Sequence, residues 1–201
     1  MKLAVAHLQA NDRRMAALIE AVGPCRMRYS PATYETVARS IVSQQLSNKA
    51  ASTIYGRLLD ALGSAGVTPH AVLKLSHDQL RSFGLSAAKS KYLHGLAHST
   101  LDGTLDFNLL PKLSDDDALA HLCQAKGVGV WTAQMFLIFA LRRRDILPTG
   151  DAGVRGAMRT LYRLKELPTP EEMVRRARPW RPYASIASWY LWSSLELKEP
   201  V

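Results

Sequence analysis

The chain has 201 residues, 47% of them hydrophobic and 21% charged, enough apolar material for one compact unit or two small lobes without covalent staples. Lys and Arg number 26 against 17 Asp and Glu, a formal net charge of +9; this points to a polyanionic partner, most simply nucleic acid, with generic basicity as the alternative. Two cysteines, Cys25 and Cys123, exclude a disulfide framework and a cysteine-ligated iron–sulfur cluster, and the longest apolar run, MFLIFAL, is far short of a membrane span.

In chain order, apolar spacing predicts helices joined by short turns, with almost no period-2 alternation. The stretch MKLAVAHLQANDRR turns polar too soon for a signal peptide, so a reduced, cytoplasmic setting is expected, nucleoid-associated if the source is bacterial. A first helix is expected near 2–21, broken by GPCRMRYSPA. A second, from about Ala32, turns Tyr34, Val37, Ala38 and Ile41 inward. SQQLSN separates it from a third, KAASTIYGRLLDAL, which ends at Gly63. LSHDQLRSFGL reads as a short helix and turn, and AAKSKYLHGLAHSTLDG as a further helix. Ser114 with Asp117 three residues later makes a capping box for DDALAHLCQA. After KGVG come the apolar helix WTAQMFLIFAL, the loop RRRDILPTG and a helix from about Asp151 to Leu164. PTPEEM opens another helix, and ASIASWYLWSSL forms the last. The fold class is all-α.

Residues 126–133 read KGVGVWTA. A dinucleotide fold would need a strand before these glycines and one more glycine after them, and no GK[ST] follows for a Walker loop. What remains is helix, tight hairpin, helix. Gly127 and Gly129 let the hairpin amides face outward and the next helix presents its positive end, an arrangement suited to a DNA backbone phosphate; a simple helix-capping turn is the alternative. Twenty residues beyond Trp131, LPTGD delivers Asp151 to a helix start, where it serves as an N-cap, as a functional carboxylate, or as both.

GVGVWTA, LPTGD at this distance, WRPY at 180–183, SWYLW at 188–192, SIVSQQLSNKAA at 40–51 and GLSAAKSKYLHGLA at 84–97 together resemble the helix-hairpin-helix DNA glycosylase superfamily, and within it the alkylation-repair branch, the 3-methyladenine DNA glycosylase II group. The resemblance runs from about residue 30 to 195. It implies a two-lobed fold: a central bundle at 30–135 that includes the hairpin, and a second lobe of 1–29 plus 136–201 that carries Asp151, with the active-site cleft between them. The N-terminal β domain of larger relatives is not expected, because the chain is short and its start shows no strand pattern. The resemblance also implies a monomer that flips a damaged nucleotide out of double-stranded DNA and hydrolyses its N-glycosidic bond in base excision repair. Alkylated purines of the 3-methyladenine and 7-methylguanine type are the expected substrates. Deaminated, oxidised or etheno bases, or a non-catalytic DNA-binding module, are the alternatives.

By position, Asp151 is the catalytic aspartate. Trp131 stands where strand-cleaving relatives carry a Schiff-base lysine, so a monofunctional enzyme without lyase activity is expected. Its indole also offers an electron-rich face to a cationic base, alongside Met135, Trp180 and Tyr183. Ala184 stands where the group often has arginine, and Ala152 and Met135 where larger relatives can place aromatics, which implies a less aromatic and differently selective pocket. Trp189, Tyr190 and Trp192 read as core from their helical spacing. Gln45 and Leu46 are the wedge candidates that fill the hole left by the flipped base. Gly127, Gly129, Lys126 and Thr132 complete the DNA-binding set. Backbone carbonyls of Cys123, Ala125 and Val128 would hold a sodium or potassium ion, although Ala125-Lys126 replaces the usual Leu-Pro. No organic cofactor is expected. His94 and His98 form HxxxH without a third ligand, so zinc is not expected either. Arg142, Arg143 and Arg144 read equally as a solvated loop or as phosphate contacts, and Lys89 and Lys91 lean to the phosphate side.

Overall fold

A computed structural model of the chain describes residues 1–197, and among them there are α-helices, short 3-10 turns and no strand. The α-helices are α1 (Lys2–Asn11), α2 (Arg13–Val22), α3 (Tyr34–Ser43), α4 (Asn48–Leu62), α5 (Pro69–Leu73), α6 (His77–Ser82), α7 (Ala87–Leu101), α8 (Asp115–Cys123), α9 (Val130–Phe139), α10 (Ala152–Tyr162), α11 (Pro170–Arg176) and α12 (Ala184–Ser194). None is long and apolar enough to cross a membrane.

The chain divides into two compact units, one of 1–29 with the segment after 141, the other of 30–141. In the first, α2, α10 and α12 pack around Leu8, Met15, Met158, Trp180, Tyr190 and Leu191, with α1 laid on α2. In the second, α3 packs against α4, α7 and α9, α8 pairs with α9, and α5 and α6 lie on α7. Its buried side chains include Val37, Ile41, Leu58, Leu93, Leu96 and Leu137. Full burial of each such aliphatic side chain contributes about 2 kcal/mol. The sequence placed the boundary at 135, which falls inside α9. Nothing in QMFLIF breaks a helix, so α9 continues to Phe139, and the Leu141 amide closes the turn on the Phe136 carbonyl at 3.0 Å.

Local chemistry explains where other elements differ from expectation. The single helix over 2–21 is broken at Asp12, whose backbone is extended (φ −145°, ψ 105°) and whose Oδ1 accepts from the Arg14 and Met15 amides at 3.0 and 3.1 Å. An aspartate that caps a new helix prevails over continuing the old one. TPHAVL, to which the sequence reading assigned no element, forms α5, capped by Thr68 with Pro69 in its first turn. Ser114 does cap α8, but Asp117 accepts from the serine hydroxyl at 2.6 Å. The capping box with both arms is at Ser76 and Gln79, at the start of α6.

Candidate active site

Within the unit of 30–141, α8 and α9 are joined by a tight turn. The Ala125 amide donates to Leu122 at 3.2 Å and the Val128 amide to Ala125 at 3.0 Å. Gly127 has φ +91°, and a Cβ there would lie 2.5 Å from the Tyr92 ring. Both conditions require glycine. Gly129 (φ −86°) is the N-cap of α9, without a side-chain cap hydrogen bond and with open space where a Cβ would sit. The positive end of α9 therefore faces outward beside exposed Lys126.

The segment after α3 meets this hairpin. Gln44 Nε2 donates to the Gly127 carbonyl at 2.8 Å and lies 3.4 Å from Thr132 Oγ1, and Lys89 Nζ donates to the carbonyls of Val42 at 2.8 Å and Gln44 at 2.6 Å. Lys89 is thus a strut that holds the loop, and burial pulls its ammonium below the ordinary lysine value. That differs from the phosphate contact expected of it. Gln45 adopts a left-handed backbone (φ +56°), uncommon outside glycine, with exposed Leu46 after it. Gln44, Gln45, Leu46, Trp131, Thr132 and Met135 line a cavity of about 630 Å³. Trp131 is 47% exposed, whereas Thr132 is buried, so the threonine contributes to the floor of the hairpin.

The other unit presents Asp151. The loop 142–151 is pinned to the start of α12: the Ser185 hydroxyl donates to the Arg143 carbonyl and accepts from the Ile146 amide, and Asp145 accepts from the Ala184 amide and from Arg181. Two of the three arginines of this loop pack on aromatic rings, Arg142 over Tyr29 at 5.0 Å and Arg144 over Tyr183 at 5.8 Å. The loop ends at Asp151, 8% exposed, which caps α10; its Oδ1 accepts from the Val154 amide at 2.7 Å and from Trp192 Nε1 at 2.9 Å. Of the roles the sequence allowed for Asp151, the geometry shows the N-cap.

Trp180 is revised from pocket wall to core. It is fully buried, stacks near Tyr162, and its indole donates to Asp12 Oδ2 at 2.9 Å, the carboxylate oxygen that also accepts from the Tyr162 hydroxyl. A side chain with no accessible surface and its one donor engaged has nothing left to offer a base. Tyr183 is half-buried and holds His7 edge-on at 5.2 Å. A second cavity of about 630 Å³, lined by residues including Val5, Ile19, Cys25 and Tyr190, contains none of the expected residues, and burial raises the Cys25 thiol above its ordinary value. His94 Nε2 lies 2.9 Å from the Leu75 carbonyl and its ring 4.3 Å from that of His77, so the histidine faces a backbone acceptor and an aromatic neighbour.

Two residues that hold the candidate groups, one in each unit, escaped the sequence reading. Trp192 counted as core, because its partner Asp151 lies 41 positions away. Gln44 sits beside the two wedge candidates with no local sign that it alone reaches the hairpin.

The model of the HhH-GPD superfamily base excision DNA repair protein family matches residues 38–182. DNA-3-methyladenine glycosylase 1 of Schizosaccharomyces pombe is 32% identical over 198 residues, spanning 96% of this chain and 87% of that protein. The structure of the S. pombe 3-methyladenine DNA glycosylase in complex with abasic DNA superposes with a TM-score of 0.85 at 32% identity, covering 97% of each chain. The crystal structure of a DNA-3-methyladenine glycosidase from Bacillus halodurans gives 0.87 at 34% identity, over 96% of this chain and 89% of that one. Matched by the family model over residues 38–182 and by these relatives over nearly its whole length, the chain belongs to the HhH-GPD superfamily of base excision DNA repair proteins.

Proposed function

We propose that the chain is a monofunctional DNA glycosylase that removes N3- or N7-alkylated purines from double-stranded DNA. The observation that carries this reading is Asp151, a carboxylate held at the N-terminus of α10 by the Val154 amide and the Trp192 indole. An acid kept beside a phosphate-rich partner needs a task. Here it stabilises positive charge on the deoxyribose as the base departs and takes a proton from the attacking water. Water adds to the anomeric carbon, the N-glycosidic bond breaks, and the products are free base and an abasic site. An alkylated purine already carries positive charge, so no strong general acid is required. The names of the relatives support the same substrate class.

The residues of the other unit suit the same reaction. Trp131 has no amine to form a Schiff base, so the strand stays intact. Its exposed indole, with Met135, forms the wall that a cationic base meets. Gln45 and Leu46 enter the duplex, and Gly127, Gly129 and Lys126 take the backbone phosphate, the protein acting as a monomer. The carbonyls of Cys123, Ala125 and Val128 would hold a sodium or potassium ion that neutralises phosphate charge; Ala125 already accepts from the Val128 amide and keeps a second lone pair for it.

The test is single-turnover release of 3-methyladenine from methylated duplex DNA, wild type beside Asp151→Asn. Wild type is expected to release base and leave a strand that breaks only in alkali, and the variant to bind DNA while reacting at least about a hundredfold more slowly. If both bind and neither reacts, a panel of deaminated, oxidised and etheno lesions separates another substrate from a binding module.

A further inference from the structure

We infer that Trp192 is the positioning residue for the catalytic carboxylate, and that Gly153 leaves the room it packs into. The inference rests on the role proposed above for Asp151. The Trp192 indole Nε1–H, on the last turn of α12, donates to Asp151 Oδ1 at 2.9 Å, and the same oxygen accepts from the Val154 amide at 2.7 Å. Two donors from two helices thus set the rotation of one carboxylate. The helix amide alone would restrain one oxygen; the indole adds a second direction, and with it the plane of the group. Positioning of this kind converts a general base from a mobile side chain into one already aimed at the reacting water.

Gly153 leaves room for the approach. A Cβ at 153 would lie 3.1 Å from Asp151 Oδ1, 3.1 Å from Leu195 Cδ1 and 3.3 Å from Trp192 Cδ1. Carboxylate, indole and a leucine methyl therefore converge on the space that any other residue would occupy. Gly153 has an ordinary backbone, since it is absent from the positive-φ residues. A helical glycine without a conformational reason for being glycine normally weakens its helix. Here close approach is the reason.

The two residues predict separable outcomes. In Trp192→Phe the ring remains and the donor is lost, and a Trp192→benzothienylalanine protein keeps the bicyclic shape without the N–H. Both are expected to lower the single-turnover rate between about tenfold and a hundredfold while DNA affinity stays within about twofold of wild type. Gly153→Ala is expected to slow the reaction similarly while its melting temperature holds or rises, because alanine is the better helix former. A purely structural Trp192 would instead lower stability and leave the rate of the folded fraction unchanged. A rate within about twofold of wild type in the benzothienylalanine protein overturns the inference. A second measurement does not depend on which lesion is excised: the NMR resonance of the Trp192 indole N–H is expected to move in Asp151→Ala and to exchange faster with solvent. An unmoved resonance overturns the pairing even if excision proceeds through Asp151, and a moved one upholds it even if the substrate class proposed above is wrong.

Discussion

Asp12 shows how much one side chain can organise. Oδ1 caps α2 and Oδ2 accepts from both Trp180 and Tyr162, which lie 168 and 150 positions away in sequence. Asp12→Ala removes the cap and leaves two donors unpaired, a loss of about 3 kcal/mol. The melting temperature is expected to fall on the order of 10 °C; a fall of less than about 2 °C would show that water replaces the carboxylate. Three tyrosines make a second residue-scale prediction. Burial first, then the neighbouring Asp12 carboxylate, hold Tyr162 well above the usual value of 10.0; burial and Tyr55 do so for Tyr34, and burial and Glu35 for Tyr55. Each raised value means that the folded state keeps its proton longer than the unfolded chain. That contribution is complete below pH 10 and shrinks as pH rises above it. Thermal melts at stepped pH should show stability falling above about pH 10, less steeply in Tyr162→Phe than in wild type. Trp180 was legible as an aromatic of the WRPY stretch, but not as a partner of Asp12, because nothing local couples residues so far apart.

At the scale of elements, the two glycines of the hairpin are not equivalent, although the sequence presents them as a matched pair. Gly127 is required twice over, by its φ of +91° and by the Tyr92 ring under its missing side chain; Gly129 has an ordinary φ and open space. Gly127→Ala is expected to destabilise the unit of 30–141 by more than about 1 kcal/mol, since a strained backbone and an overlap are imposed together. Gly129→Ala should fold like wild type and weaken DNA binding alone, because its new methyl group projects from the outer surface of the hairpin. Denaturant titration beside a duplex-binding isotherm separates the two, and equal losses of stability would refute the distinction. The helix-turn-helix pattern was readable from apolar spacing and two glycines. Which glycine supports the fold is a contact with Tyr92, 35 residues upstream, and periodicity carries no information about it.

For the molecule as a whole, the net charge of +9 and the outward hairpin predict an association led by backbone phosphates. Log affinity for undamaged duplex should fall linearly and steeply with log salt and vary little with base sequence, and Lys126→Gln should lower the slope by about one. A flat plot would remove phosphate contact as the basis of binding.

The all-helical class, the hairpin and the aspartate at a helix start were determined by sequence alone, because each depends on residues within a turn or two of one another: apolar spacing, a glycine pair, a capping carboxylate. The break at Asp12, the burial of Trp180, the strut from Lys89 and the indole on Asp151 were decided only by tertiary structure. Each is a hydrogen bond or a packing contact between segments far apart in the chain, and a buried polar group takes whichever partner the fold brings to it.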